Sequence, residues 1–127
     1  MSIERLGNYA FYGTLRKGME NHQAFETSLT YIKTVSLAGY RMYSLGDYPY
    51  AICTGDQRDN MVVDLFRVLS EETEEMIYEM ERDAGYVRSI IMIDGIKFGI
   101  YLFETMTIGD EYLPGGDWVS YTKSQLF

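Results

Sequence analysis

The two residues Asp94-Gly95, set between apolar runs at 86–93 and 96–103, constrain this chain more than any other feature. An Asp-Gly pair tolerates the positive φ angles that a two-residue hairpin demands, so the runs are predicted to pair antiparallel. The turn also fixes the register. On one face Ile93 meets Ile96, Ile91 meets Phe98, Ser89 meets Ile100 and Val87 meets Leu102. That face is mostly apolar and is expected in the core. On the other face Met92 meets Lys97, Ile90 meets Gly99, Arg88 meets Tyr101 and Tyr86 meets Phe103. This mixed face suits solvent, a cleft or a covering tail.

Further strands are expected over 9–12, 31–37, 39–43, 50–54 and 61–68, with a loop from Gly46 to Pro49. Asn21 is a candidate N-cap for a short helix through Phe25. Ser70 is predicted to cap a second helix, with Glu71 and Glu72 in its first turn, where the helix dipole favours negative charge. Its apolar residues are Met76, Ile77 and Met80, most of its acids fit a solvated side, and it should end before Gly85. Residues 115–119 read as a turn into a terminal strand. Strands and helices do not alternate regularly, so a doubly wound parallel sheet is unsuited. An α+β fold is expected, a largely antiparallel sheet or small barrel with helices packed on it.

A chain of 127 residues, 46% hydrophobic, fits one domain spanning 1–127. Cys53 is the only cysteine and His22 the only histidine, which excludes an intrachain disulfide and the usual Cys/His zinc clusters. The acids lack calcium-loop spacing. No metal or cofactor is expected. The net charge of −8, with Lys and Arg scattered, argues against nucleic acid and anionic membranes as partners. No apolar run approaches the ~18 residues of a membrane span, and the charged start does not fit a signal peptide. With a lone cysteine, a cytosolic location is expected.

Two features could carry chemistry. Tyr12-Gly13-Thr14-Leu15 follows a strand directly. Gly13 lets the chain turn and lets a ligand approach the backbone, whose N–H groups can hold a carboxylate or an oxyanion. By spacing alone it is equally an ordinary strand-to-loop turn. Glu81 lies four residues after Ile77 and so on the same helix face, near the negative end of the dipole. Dipole and partial burial would both raise its pKa, as suits a general acid or base near neutral pH. The alternative is a surface glutamate at a helix end, paired with Arg82 or Arg88. His22 reads as helix-start or loop structure, Cys53 as inert, and Asp117-Trp118 as a structural anchor.

The run Phe11-Tyr12-Gly13-Thr14-Leu15-Arg16-Lys17-Gly18, followed by Asn21-His22, resembles the opening of the γ-glutamylcyclotransferase-like, or AIG2-like, family. So do Gly39-Tyr40-Arg41-Met42-Tyr43, Leu45-Gly46-Asp47-Tyr48-Pro49, Ile77-Tyr78-Glu79-Met80-Glu81 with Tyr86-Val87-Arg88, and Gly116-Asp117-Trp118 with Tyr121. The resemblance implies a small mixed, largely antiparallel β-barrel with flanking helices. It implies a substrate pocket at Tyr12, Gly13, Thr14 and Leu15, and Glu81 as catalytic acid/base. The implied reaction converts a small-molecule γ-glutamyl amine or amino acid to 5-oxoproline and a free amine. The chain departs from the family pattern at Arg82, Val63, Tyr78 and Tyr50, of which Arg82 and Tyr50 are placed to reshape the pocket entrance. A non-catalytic module retaining the pocket, or another hydrolase or lyase on the scaffold, are the alternatives.

Overall fold

In the computed structural model, which describes residues 3–125, the hairpin forms as the turn dictates. Strands β6 (Val87–Ile93) and β7 (Ile96–Leu102) pair from Val87 opposite Leu102 to Ile93 opposite Ile96. Asp94 and Gly95 take φ of 52° and 78°. Beyond the ladder, the rings of Tyr86 and Phe103 lie 4.7 Å apart. The division into a buried and an open face holds less well. Five consecutive β7 residues, Phe98 to Leu102, are buried, whereas Val87, Ile90 and Met92 of β6 are exposed. The reason is position: β7 lies between two strands, and β6 forms the sheet edge.

The other strands are β1 (Asn8–Phe11), β2 (Leu29–Ala38), β3 (Tyr40–Ser44), β4 (Pro49–Cys53), β5 (Asn60–Val68) and β8 (Glu111–Leu113). They form a five-stranded sheet, ordered β2-β5-β1-β7-β6, and a three-stranded sheet, ordered β4-β3-β8. All pairings are antiparallel except β1 with β7. The fold is therefore α+β and largely antiparallel, as expected, but the barrel does not close. Past the end of β7 the Phe103 N–H donates to Ala51 O at 2.9 Å, touching the smaller sheet. No strand ladder links the two sheets among the described residues. Met1 and Ser2 of the charged start lie outside those residues.

Three α-helices, α1 (Glu20–Phe25), α2 (Glu71–Asp83) and α3 (Trp118–Ser124), complete the described fold. Ser70 caps α2 as expected, its side chain accepting from the Thr73 N–H. The buried stripe differs from the expected one. Met76 is 49% exposed, while Thr73, Glu74 and Ile77 are buried. Glu74 is three residues from Ile77 and so shares its face. Its carboxylate accepts from Arg5, from the Leu6 N–H at 2.8 Å and from the Tyr9 hydroxyl at 2.5 Å, with Arg88 at 3.6 Å. A buried acid needs such partners, and these lie far away in sequence.

Asn21 is not the cap of α1. The helix begins at Glu20, and the Thr14 carbonyl accepts from the Asn21 and His22 N–H groups, each at 3.1 Å. The expected terminal strand is instead α3, because Asp117 is an N-cap whose side chain accepts from the Ser120 N–H at 3.1 Å. Asp117 also accepts from Arg16 at 2.7 Å, which makes it the anchor its sequence suggested.

Candidate active site

Strand β1 ends at Phe11, and the chain turns at once: the Arg16 N–H donates to Gly13 O at 3.0 Å. Gly13 has no positive φ; what it supplies is space. A Cβ there would lie 3.0 Å from the Pro49 ring. Two anchors fix the turn from below. Asp64 of β5 accepts from Arg16 Nε at 3.2 Å, from the Lys17 N–H at 2.9 Å and from Thr34 at 2.6 Å. Asn21 donates its side-chain amide to Thr14 Oγ1 at 2.7 Å. Among the described residues, no hydrogen-bond acceptor engages the N–H groups of Gly13, Thr14 or Leu15.

These loop residues line a cavity of about 140 Å³, together with Glu81, Met80, Tyr86, Tyr101 and Pro49. Glu81 and Tyr86 are fixed by one device. The C-terminus of α2 closes with the Tyr86 N–H donating to Glu81 O and the Gly85 N–H to Arg82 O, both at 3.0 Å. This is a Schellman motif, which requires a left-handed residue after the cap. Gly85 meets it with φ of 99°. Gly85→Ala is expected to destabilise the fold by about 1–2 kcal/mol and to lower activity at the cavity, as urea unfolding and kinetics would check.

Glu81 is half-buried, and burial raises its carboxyl pKa from 4.5 to about 7. Neither candidate arginine pairs with it. Arg82 binds Asp83 at 3.3 Å, and Arg88 binds the Tyr9 hydroxyl and Glu74. With neither arginine paired to it, desolvation governs the carboxyl.

Tyr12 enters the site differently from its neighbours. Its hydroxyl donates to Tyr101 O at 2.5 Å and accepts from the Ala51 N–H at 3.1 Å. The phenol therefore ties the end of β1 to β7 and β4, and Tyr12 also lines the cavity. His22 is buried, with its ring 5.2 Å from Phe66 and its Nδ1 accepting from the Gly18 N–H. It does not line the cavity. Cys53 is exposed.

Arg82 and Tyr50, expected at the pocket entrance, line no part of the cavity. Tyr50 is fully buried, stacks on Phe103 at 4.4 Å, and holds segment 104–110 through Asp110 and the Thr107 N–H. Arg82 sits on the surface beside Asp83 and Tyr78, and Val63 is core. Tyr101, Tyr86 and Met80 were not singled out from sequence. The signal for Tyr101 and Tyr86 was their place on the mixed face of the hairpin, which suited a cleft.

The family described as gamma-glutamyl cyclotransferase, AIG2-like, matches residues 9–120, and the chain belongs to it. An uncharacterized protein from Pyrococcus horikoshii shares the fold with a TM-score of 0.77 at 24% identity, over 94% of this chain and 95% of that one. The protein ytfP from Escherichia coli aligns with a TM-score of 0.70 at 22% identity, over 91% and 98%. An AIG2-like protein from Mus musculus aligns with a TM-score of 0.70 at 13% identity, over 90% of each chain. Comparison with curated proteins gave no match. Among the described residues no helix is long and apolar enough to cross a membrane.

Proposed function

We propose that this protein is a γ-glutamyl cyclotransferase that converts a γ-glutamyl amine or γ-glutamyl amino acid to 5-oxoproline and the free amine. The observation that carries this reading is the placement of Glu81 on the wall of the cavity bounded by Gly13, Thr14 and Leu15, where burial pushes its carboxyl pKa up to about 7. Membership of the cyclotransferase family supports it.

The chemistry needs little from the protein. Glu81 takes a proton from the substrate's α-ammonium group. The freed nitrogen attacks the γ-carbonyl carbon, a C–N bond forms, and the carbonyl π pair moves onto oxygen. The N–H groups of Gly13, Thr14 and Leu15 hold that oxyanion or the substrate carboxylate. The oxyanion then collapses, the bond to the leaving nitrogen breaks as Glu81 returns its proton to that nitrogen, and the ring nitrogen loses its second proton to the released amine or solvent, leaving the lactam N–H. Ring closure is intramolecular, so holding one conformer itself lowers the barrier. Ligand pockets usually run ~300–1,000 Å³. A cavity of about 140 Å³ suits a glutamyl group with the amine directed outward, past exposed Glu20, Asp47 and Tyr48.

The test is to incubate the protein with a panel of γ-glutamyl amines and dipeptides and assay 5-oxoproline together with released amine. Both products in equal amounts are expected. Binding without turnover across the panel would favour the non-catalytic module. The base must be ionised to act, so kcat/KM should rise with pH up to about 7 and then level, and that limb should disappear in Glu81→Gln.

A further inference from the structure

Tyr86 makes hydrogen bonds to two different parts of the candidate site. Its N–H donates to Glu81 O at 3.0 Å in the Schellman turn that ends α2. Its hydroxyl donates to the carbonyl of Pro49, the first residue of β4. Pro49 in turn lies against the Gly13 turn, where a Cβ would sit 3.0 Å from the ring atoms Cγ and Cδ. One residue therefore joins the turn that carries Glu81 to the proline that abuts Gly13.

The place of this bond gives it weight. Strand β4 belongs to the smaller sheet, and among the described residues no strand ladder joins that sheet to the larger one. Single hydrogen bonds hold the start of β4 instead. The Phe103 N–H donates to Ala51 O at 2.9 Å, and the Ala51 N–H donates to the Tyr12 hydroxyl at 3.1 Å. The Tyr86 bond acts on Pro49 itself, the residue that touches Gly13. Tyr86 is buried, with its ring 4.7 Å from Phe103, so packing fixes the direction of its hydroxyl. Gly13, Pro49, Glu81 and Tyr86 all line the one cavity.

The geometry points to Tyr86 as a positioning residue, whose hydroxyl holds Pro49 against Gly13 and so sets the separation between Glu81 and the N–H groups of Gly13, Thr14 and Leu15. Its consequence for catalysis rests on the cyclotransferase reading above. In that reaction the base and the oxyanion donors act on one substrate from two walls. A misplacement of about 1 Å between such groups can cost ~10²-fold in rate. Walls held together also keep water from Glu81, whose carboxyl pKa burial raises to about 7. Burial raises the phenol pKa of Tyr86, as it does those of Tyr12 and Tyr101, so all three are neutral near pH 7. The other titratable groups on the cavity wall are Glu20, Asp47 and Tyr48. Loss of the Tyr86 hydroxyl removes no charge from this set, and it reaches Glu81 through hydration.

The experiment is a double-mutant cycle in melting temperature on the full-length protein, with kinetics beside it. Gly13 has no positive φ, so the strain in Gly13→Ala is that of its Cβ against Pro49. In Tyr86→Phe the ring remains but Pro49 is released, and the fall in Tm caused by Gly13→Ala should shrink by about 2 °C or more. It should shrink likewise in Pro49→Ala, which lacks the ring atoms that Cβ meets. On a γ-glutamyl amine that wild type converts, Tyr86→Phe should lower kcat by about 10-fold. The rising limb of its kcat/KM profile should move below pH 7 as water reaches Glu81. A loss of stability alone would leave that limb at about 7. Additive falls in Tm for Gly13→Ala and Tyr86→Phe would overturn the assignment, and so would an unmoved limb. A wild type that forms no 5-oxoproline would overturn the underlying reading, and the melting cycle would still decide whether Tyr86 holds Pro49 against Gly13. An active wild type with an additive cycle overturns only the positioning role.

Discussion

Glu81→Gln is expected to lower kcat/KM for 5-oxoproline formation by about 10²–10⁴-fold, the usual contribution of a positioned acid/base. Glutamine keeps the size and polarity of the side chain and removes its ability to exchange a proton. The same variant should be more stable than wild type above pH 7. Burial raises the folded carboxyl from 4.5 to about 7, so between these values the folded state binds more protons than the unfolded one. Stability therefore falls as pH rises across that window, and the ionised form remains unfavourable above it. A neutral amide escapes this. Loss of activity with a gain in melting temperature at pH 8 separates a desolvated catalytic carboxylate from a structural one. Equal activity in the mutant would remove Glu81 as the base.

The second large effect is structural and sits beneath the loop. Asp64 is 3% exposed and accepts from Arg16, the Lys17 N–H and Thr34. Asp64→Ala would leave the buried Arg16 guanidinium with Asp117 alone. Breaking a buried ion pair from one side costs about 3–5 kcal/mol. For a domain of this size that lowers Tm by about 10 °C or more. The turn at Gly13 would lose its support from β5, so KM should also rise. Calorimetry with steady-state kinetics checks both. A Tm within about 2 °C of wild type would show that the pair contributes little.

Short-range physics explains which parts of this molecule were legible in its sequence. The hairpin register was readable because two residues, Asp94 and Gly95, determine it locally. The cap at Ser70 and the shared face of Ile77 and Glu81 follow from helix geometry in the same way. What failed to show depends on distant partners. Glu74 resembles the solvated acids around it until Arg5, Tyr9 and Arg88 arrive from 69, 65 and 14 residues away. Asn21 has the chemistry of a cap, yet Thr14 takes both its side-chain and backbone N–H groups. Trp118 and Val119 favour strands, and this obscured Asp117 as an N-cap.

The candidate site was legible to the same extent. Tyr12, Gly13, Thr14, Leu15 and Glu81 line one cavity. Their sequence separation gave no geometric reason for it, and the family resemblance did. The far wall was not legible, because Tyr86 and Tyr101 belong to a hairpin face whose burial depends on where β7 lies in the sheet.

The most direct test of the central proposal uses the Glu81→Gln protein, which should bind substrate without consuming it. Titrating the isotope-labelled variant with a γ-glutamyl amine that wild type converts, and following backbone amide shifts by NMR, reports where the γ-glutamyl group sits. The amides of Gly13, Thr14 and Leu15 should shift most, with further changes at Tyr86 and Tyr101. Unmoved loop amides at saturation, or shifts centred on the separate cavity at residues 111–121, would contradict the account.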